Sequence, residues 1–242
     1  EWKAFVDSLN VDVAFPGCSG FGHIERVRPG ELEGFIKRQK EDGAPEYGVR
    51  GIGPGEEEKY AIHFIEPADR NAQAIGLDIR TESIRRAAAE KAMRTGRTAV
   101  TGIITLVQDA QKKPGFLMLV PHYRTLHVPE TEEERERECV GWVYSAFVGE
   151  NILRDLLQVQ EERVAFSIYD ERVAPECMIA DGGKAPENAL VIERKVPLAG
   201  KQWVFVAHSR EGNLVVGLSK PTKLVLFSGL SVSAALLVVL VL

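Results

Sequence analysis

Apolar residues at Trp2, Phe5, Val6 and Leu9 recur at the spacing of one helical face, so the chain opens on a helix that Phe15-Pro16-Gly17 breaks. Pro29 leads into a second helix with Leu32, Phe35 and Ile36 on one side. Glycine, proline and glutamate dominate 41–58, the composition of a loop. The run Tyr60–Ile65 predicts a strand stopped by Glu66-Pro67. Thr81 is placed to cap a helix that reaches Thr95, with Gly96 where a left-handed residue closes it. Strands are expected at Thr98–Val107, Phe116–Tyr123 and Val140–Val148, with Pro114-Gly115 turning between the first two and an acidic connection around Thr131, with room for a helical turn, between the last two. Residues 151–162 place Ile152, Leu153, Leu156 and Leu157 on one side of an amphipathic connector helix. Strands at Val164–Tyr169, Leu190–Val196 and Trp203–His208 then make a second, smaller unit. The pattern is α+β with mostly antiparallel strands.

The pattern changes character at the end. Leu224–Leu242 carries no charged residue and no polar face. As a helix it reaches about 28 Å, close to the apolar thickness of a bilayer, and it predicts a membrane span. The chain stops with this span and starts at Glu1 without methionine, so a piece of a longer protein is expected. Orientation depends on the residues beyond Leu242.

Lys and Arg number 30 against 35 Asp and Glu, a net charge of −5 with no basic face, which argues against a nucleic-acid partner. Cys18, Cys139 and Cys177 are an odd set without CxxC spacing, allowing at most one disulfide and no predicted zinc site. His122 and His127 are five apart, a spacing that suits one metal on neither a helix nor a strand. Gly51–Gly55 is followed by Glu56, Glu57 and Glu58, which repel a phosphate, and no lysine completes a P-loop. Gly17-Cys18-Ser19-Gly20 has Phe21 where a nucleophile elbow needs glycine and reads as a turn. Glu130–Glu138 is a solvated charged face, and Asp78 sits where it can cap or turn the chain. No catalytic residue, metal or cofactor is expected. The strand Thr98–Val107 is more informative. Alternation puts Thr101, Ile103, Thr105 and Val107 on one face and Val100, Ile104 and Leu106 on the other. The mixed first face fits either the wall of a small-molecule cavity or a half-exposed sheet surface.

Three segments carry a resemblance. FIEPADRNAQAIGLDIRTESIRRAAAEKAMRTGRTAVTGIITLVQ at 64–108, GFLMLVPHYR at 115–124 and ERERECVGWVYSAF at 134–147 resemble the core of a CHASE domain, with the order EP…N…GLD…RR…A…TG…T…L…P.Y…R…GW…F met in full. The resemblance covers residues 1 to about 209, less distinctly in its second half. It implies an extracytoplasmic sensor of a histidine kinase or diguanylate cyclase. The implied architecture is the end of a stalk helix and a connecting loop over 1–28, a membrane-distal PAS-like ligand-binding subdomain over 29–150, a membrane-proximal PAS-like subdomain over 151–220 and a transmembrane helix over 221–242. The plant cytokinin receptors are members, and motif spacing carries their pocket threonine onto Thr101 and a pocket apolar residue onto Val107. Two positions depart. Arg85 stands where they have an aspartate, and Leu119 where they have a threonine. A guanidinium suits a carboxylate or phosphate, so an anionic ligand is expected in place of a cytokinin; alternatively Arg85 points to solvent or pairs with Glu82 on its own helix. The expected ligand-binding set is Ile79, Arg85, Thr101, Ile103, Thr105, Val107, Leu119 and Tyr144.

The resulting expectation is a sensor of a small molecule in the inner membrane, anchored through Leu224–Leu242 with residues 1–220 outside the cytoplasm, and acting as a homodimer. The alternative is an ectodomain that binds a partner protein or dimerises without a small-molecule ligand. An extracytoplasmic enzyme lacks a constellation to support it.

Overall fold

One interior strand of the larger sheet is hidden from hydropathy. Residues Cys18–Val27 form β1, where a connecting loop is expected, and this corrects the sequence reading. Its buried positions alternate through Cys18, Gly20, Gly22 and Ile24. Two of these are glycine, which buries backbone without adding an apolar side chain, so the alternation leaves little trace in the sequence. A computed structural model describes residues 2–15, 17–51, 57–125, 127–157 and 164–210.

Ahead of β1 come two short helices, α1 (Trp2–Ser8) and α2 (Val11–Ala14). After it the chain runs through α3 (Leu32–Glu41), β2 (Lys59–Glu66), α4 (Ala68–Asn71) and α5 (Ser83–Thr95). Next are β3 (Ala99–Val100), β4 (Ile104–Thr105), β5 (Pro114–Tyr123), α6 (Glu132–Glu138), β6 (Cys139–Val148) and α7 (Gly149–Leu157). The second unit holds β7 (Val164–Asp170), β8 (Met178–Ala180), β9 (Val191–Leu198) and β10 (Lys201–Ser209).

The larger sheet has the order β2-β1-β6-β5-β3, with β4 also paired to β5, and the smaller has β8-β7-β10-β9. All named strand pairs are antiparallel. The fold is mixed α/β with antiparallel sheets, as the element order predicts.

Local chemistry sets the boundaries. Asp78, 1% exposed, accepts hydrogen bonds from the backbone N–H of Tyr60 (2.9 Å) and Arg80 (3.0 Å), tying a tight turn at Ile79–Thr81 to β2. Thr81 is spent on that turn, its hydroxyl donating to the Asp78 carbonyl at 2.8 Å. Glu82 is therefore the cap of α5, accepting from the N–H groups of Ile84 and Arg85, in place of the expected Thr81. Gly96 closes α5 in the left-handed conformation, φ 68°, as expected. Thr131 and Glu134 form a reciprocal capping box that starts α6 in the acidic connection.

The expected strand Thr98–Val107 is broken. β3 and β4 are two-residue strands, and between them the Thr101 hydroxyl accepts the Leu117 N–H at 3.0 Å while donating to the Gly102 carbonyl at 2.7 Å. A side chain thus replaces a ladder partner and the chain leaves the sheet. The predicted two faces consequently mix. Val100 packs into a different cluster from Ile104 and Leu106. The turn into β5 lies ahead of Pro114, where the Asp109 carboxylate accepts from Gln111 and Lys113.

The main core lies between α5 and one face of the larger sheet, around Trp142, Tyr60, Ile24, Ile65, Ile79 and Leu119. The indole of Trp142 donates to the Ala89 carbonyl of α5 at 3.0 Å, fixing helix to sheet. A second cluster is shared between the units: Val100, Phe116 and Leu153 pack with Ile168, Ile179, Ala180 and Trp203 of the smaller sheet. Among the described residues no helix is long and apolar enough to cross a membrane. The expected span Leu224–Leu242 lies outside the described residues, as does the end of the expected connector helix beyond Leu157.

Candidate functional site

β6 runs between β1 and β5, and Tyr144 is directly opposite Gly22 on one side and Leu119 on the other. A Cβ at Gly22 would stand 2.3 Å from the Phe64 carbonyl oxygen and 2.6 Å from the Tyr144 ring, so glycine leaves room for both. Tyr144 is 2% exposed and, among the described residues, its hydroxyl oxygen has no hydrogen-bond partner. Burial, and to a lesser extent the neighbouring Tyr47, push this phenol well above its ordinary pKa. Tyr47 differs in that its hydroxyl donates to the Ile62 carbonyl at 3.0 Å. Leu119 and Ile79 share the core with Tyr144 and are equally buried.

The predicted site residues separate into three groups. Ile79, Leu119 and Tyr144 meet in the main core. Arg85 and Thr105 meet at its rim, where the Arg85 guanidinium donates to the Thr105 carbonyl at 2.7 Å. The same guanidinium lies 3.6 Å from the Glu82 carboxylate, and burial lowers its pKa. The pairing with Glu82 along the helix is therefore present. Thr101 is buried within the β3–β4 break, Ile103 packs on the cluster shared with the smaller sheet, and Val107 is 41% exposed. Thr101, Ile103, Thr105 and Val107 do not form one continuous face.

Asn71 was not predicted. It is fully buried, its amide donates to the carbonyls of Ser19 and Pro67 (2.8 Å each), and its oxygen accepts from Gln108 at 3.0 Å. It joins β1, α4 and the turn before β5 at one end of the main core. The sequence signal was the N of the EP…N motif, whose role is visible only once those three segments are brought together.

The profile of the CHASE domain family matches residues 1–180 of this chain. No curated protein matches it. Among solved structures, an extracellular ligand binding receptor from Desulfohalobium retbaense DSM5692 is similar with a TM-score of 0.47 and 10% identity, over 85% of this chain and 32% of that one. The chain thus spans about a third of that receptor's length. The periplasmic sensory domain of the Campylobacter jejuni chemoreceptor Tlp1 is similar with a TM-score of 0.47 and 11% identity, over 89% of this chain and 82% of that one.

Proposed function

Because the chain belongs to the CHASE domain family, a family of extracytoplasmic sensors, we propose that it is the ligand-sensing part of a bacterial transmembrane receptor, a histidine kinase or alternatively a diguanylate cyclase. The observation that carries the reading is the Tyr144 hydroxyl, a hydrogen-bonding group buried without a partner in the main core. A buried unsatisfied hydroxyl is costly, and a small molecule that offers it a partner gains that cost back on binding. Arg85 at the rim supplies charge. Its contact with Glu82 is the longer of its two, so an anionic group displaces Glu82 more readily than it displaces the Thr105 carbonyl. Ligand binding between α5 and the sheet shifts an existing equilibrium because one arrangement of the core binds better.

In this reading the two sheets are PAS-like units in tandem, supported by the order β2-β1-β6-β5-β3 in the first and by a shared core with the second. The Leu224–Leu242 span anchors the receptor in the inner membrane with 1–220 outside the cytoplasm, and the receptor works as a homodimer. The complete burial of Ile79 and Leu119 favours a second reading, a partner-protein-binding or dimerising ectodomain whose core stays closed to small molecules.

A thermal-shift screen of the full 242-residue chain in detergent, against small organic acids, nucleobases, peptides and lipids, separates the two. A ligand at one hundred times its dissociation constant adds about 2.7 kcal/mol of stability. The sensor reading expects an anion to raise the melting temperature, with Arg85→Ala and Tyr144→Phe each removing the effect. A panel in which nothing shifts a well-folded protein overturns the small-molecule reading in favour of partner binding.

A further inference from the structure

On the face of the larger sheet turned away from the main core, titratable side chains from adjacent strands converge. Ile24 and Trp142 point into the core, so their neighbours His23, Glu25 and Gly141 belong to the opposite face. The β1–β2 register slips beside His23: His23 pairs with Phe64 and Ile24 pairs with Ile62, leaving His63 as the extra residue of a bulge. Bulges re-aim side chains. Here the rings of both His63 (5.8 Å between centres) and Phe64 (5.7 Å, stacked) lie against His23. Gly141 is the cross-strand partner of Glu25 on β1 and of His122 on β5. A Cβ at Gly141 would stand 2.1 Å from the Ile24 carbonyl oxygen and 3.2 Å from His23 Nε2, so glycine is what the close pairing of β1 with β6 requires here, and it leaves the imidazole uncrowded on that side.

From this geometry we propose that His23, Glu25 and His63 form a binding site for a borderline divalent transition ion of the Zn²⁺ class. One ligand atom from each lies within 4.8 Å of the others. His23 Nδ1 and the Glu25 carboxylate are 3.7 Å apart, facing each other beyond hydrogen-bonding distance. Two ligand atoms on a tetrahedral zinc, each about 2.1 Å from the metal, stand about 3.4 Å from one another, so small side-chain adjustments close the set around an ion. Two imidazoles and one carboxylate are the donors such ions prefer, whereas Mg²⁺ and Ca²⁺ take oxygen. The ring of His122, centred 5.9 Å from that of His23, borders the fourth side. Arg38 of α3 and Glu31 are the charged groups that act on Glu25. Bound there, the metal staples β1 to β2 across the bulge, on the sheet face opposite the Tyr144 core, so the site stands whether or not that core takes a ligand.

The test is calorimetric titration of the metal-free 242-residue chain with ZnCl₂ alone, repeated with CoCl₂ to read the visible absorption of a low-symmetry Co²⁺ site. The expected result is one ion per chain, a raised melting temperature, and a loss of affinity of about 100-fold or more in His63→Ala and in Glu25→Gln, exceeding the effect of losing an outer partner. Glu25→Gln preserves shape, so it reports on ligation even where a histidine replacement disturbs folding. His127→Ala and Cys177→Ser, outside the cluster, should bind like the parent. Absence of saturable binding, affinity within about threefold of the parent in both cluster variants, or loss of binding in either control overturns the assignment.

Discussion

Tyr144→Phe removes one oxygen atom from the main core and leaves the ring in place. The residue is 2% exposed and, among the described residues, its hydroxyl has no partner. Leaving such a group buried and unsatisfied costs about 1–3 kcal/mol. Its removal should therefore stabilise the unliganded protein by about 1–2 kcal/mol, the opposite of the usual effect of altering a core residue. For a chain of this size that is a rise of roughly 2–8 °C in melting temperature. The assay is thermal and urea unfolding of parent and variant, followed by circular dichroism and tryptophan fluorescence. An alkaline arm checks the cause. The folded state raises the phenol's pKa, so above the unfolded value near 10 the unfolded chain releases a proton that the folded one keeps. Stability is thus lost as pH climbs past about 10, and the variant should lose less of it than the parent. A Tyr144→Phe protein that is less stable than the parent by about 1 kcal/mol or more would mean that the hydroxyl is paired, and would refute the reasoning.

Trp203→Ala should destabilise by about 3–5 kcal/mol, since its ring packs 4.8 Å from Phe116 in the shared cluster; hydrogen exchange should show the smaller sheet opening ahead of the larger. Gly22→Ala places a methyl against the Phe64 carbonyl and the Tyr144 ring, and denaturant unfolding should record a loss of about 1–3 kcal/mol. Asp78→Ala strips the partners from two backbone N–H groups and should cost about 2 kcal/mol, with exchange at the Tyr60 and Arg80 amides accelerated first. Burial pushes the Cys139 thiol up to about 11, so a thiol reagent at pH 8 should label partly exposed Cys177 well before it reaches Cys139 in the native protein.

The sequence was most legible where apolar side chains recur. β2, β5, β6 and α3 lie close to their predicted bounds because each presents branched or aromatic groups at regular spacing, and α5 does so because its cap region and Gly96 bracket a run of good helix formers. β1 was missed because glycine occupies two of its buried positions, and β8 because three residues carry no period. The break at Thr101 could not be read from alternation, since a threonine that fits a strand also fits a side chain standing in for a strand partner. The candidate site was legible only in part for a related reason. Ile79, Leu119 and Tyr144 share a core because their strands and turn converge, whereas Thr105 and Val107 follow a break that strand periodicity ignores. His23, Glu25 and His63 form no linear motif. A one-residue slip in register brings them together, and the sequence carries no marker for that slip.

The cluster that joins Phe116 and Leu153 to Ile168 and Trp203 has a practical consequence for recombination. A chimaera that grafts a domain of this family onto a foreign partner invites a cut between the two sheets. That cut would expose the Phe116–Trp203 contact on both fragments and leave two apolar surfaces that neither half can cover. A transplant that keeps its input must therefore carry both sheets as one cassette, with the exchange point placed after Ser209.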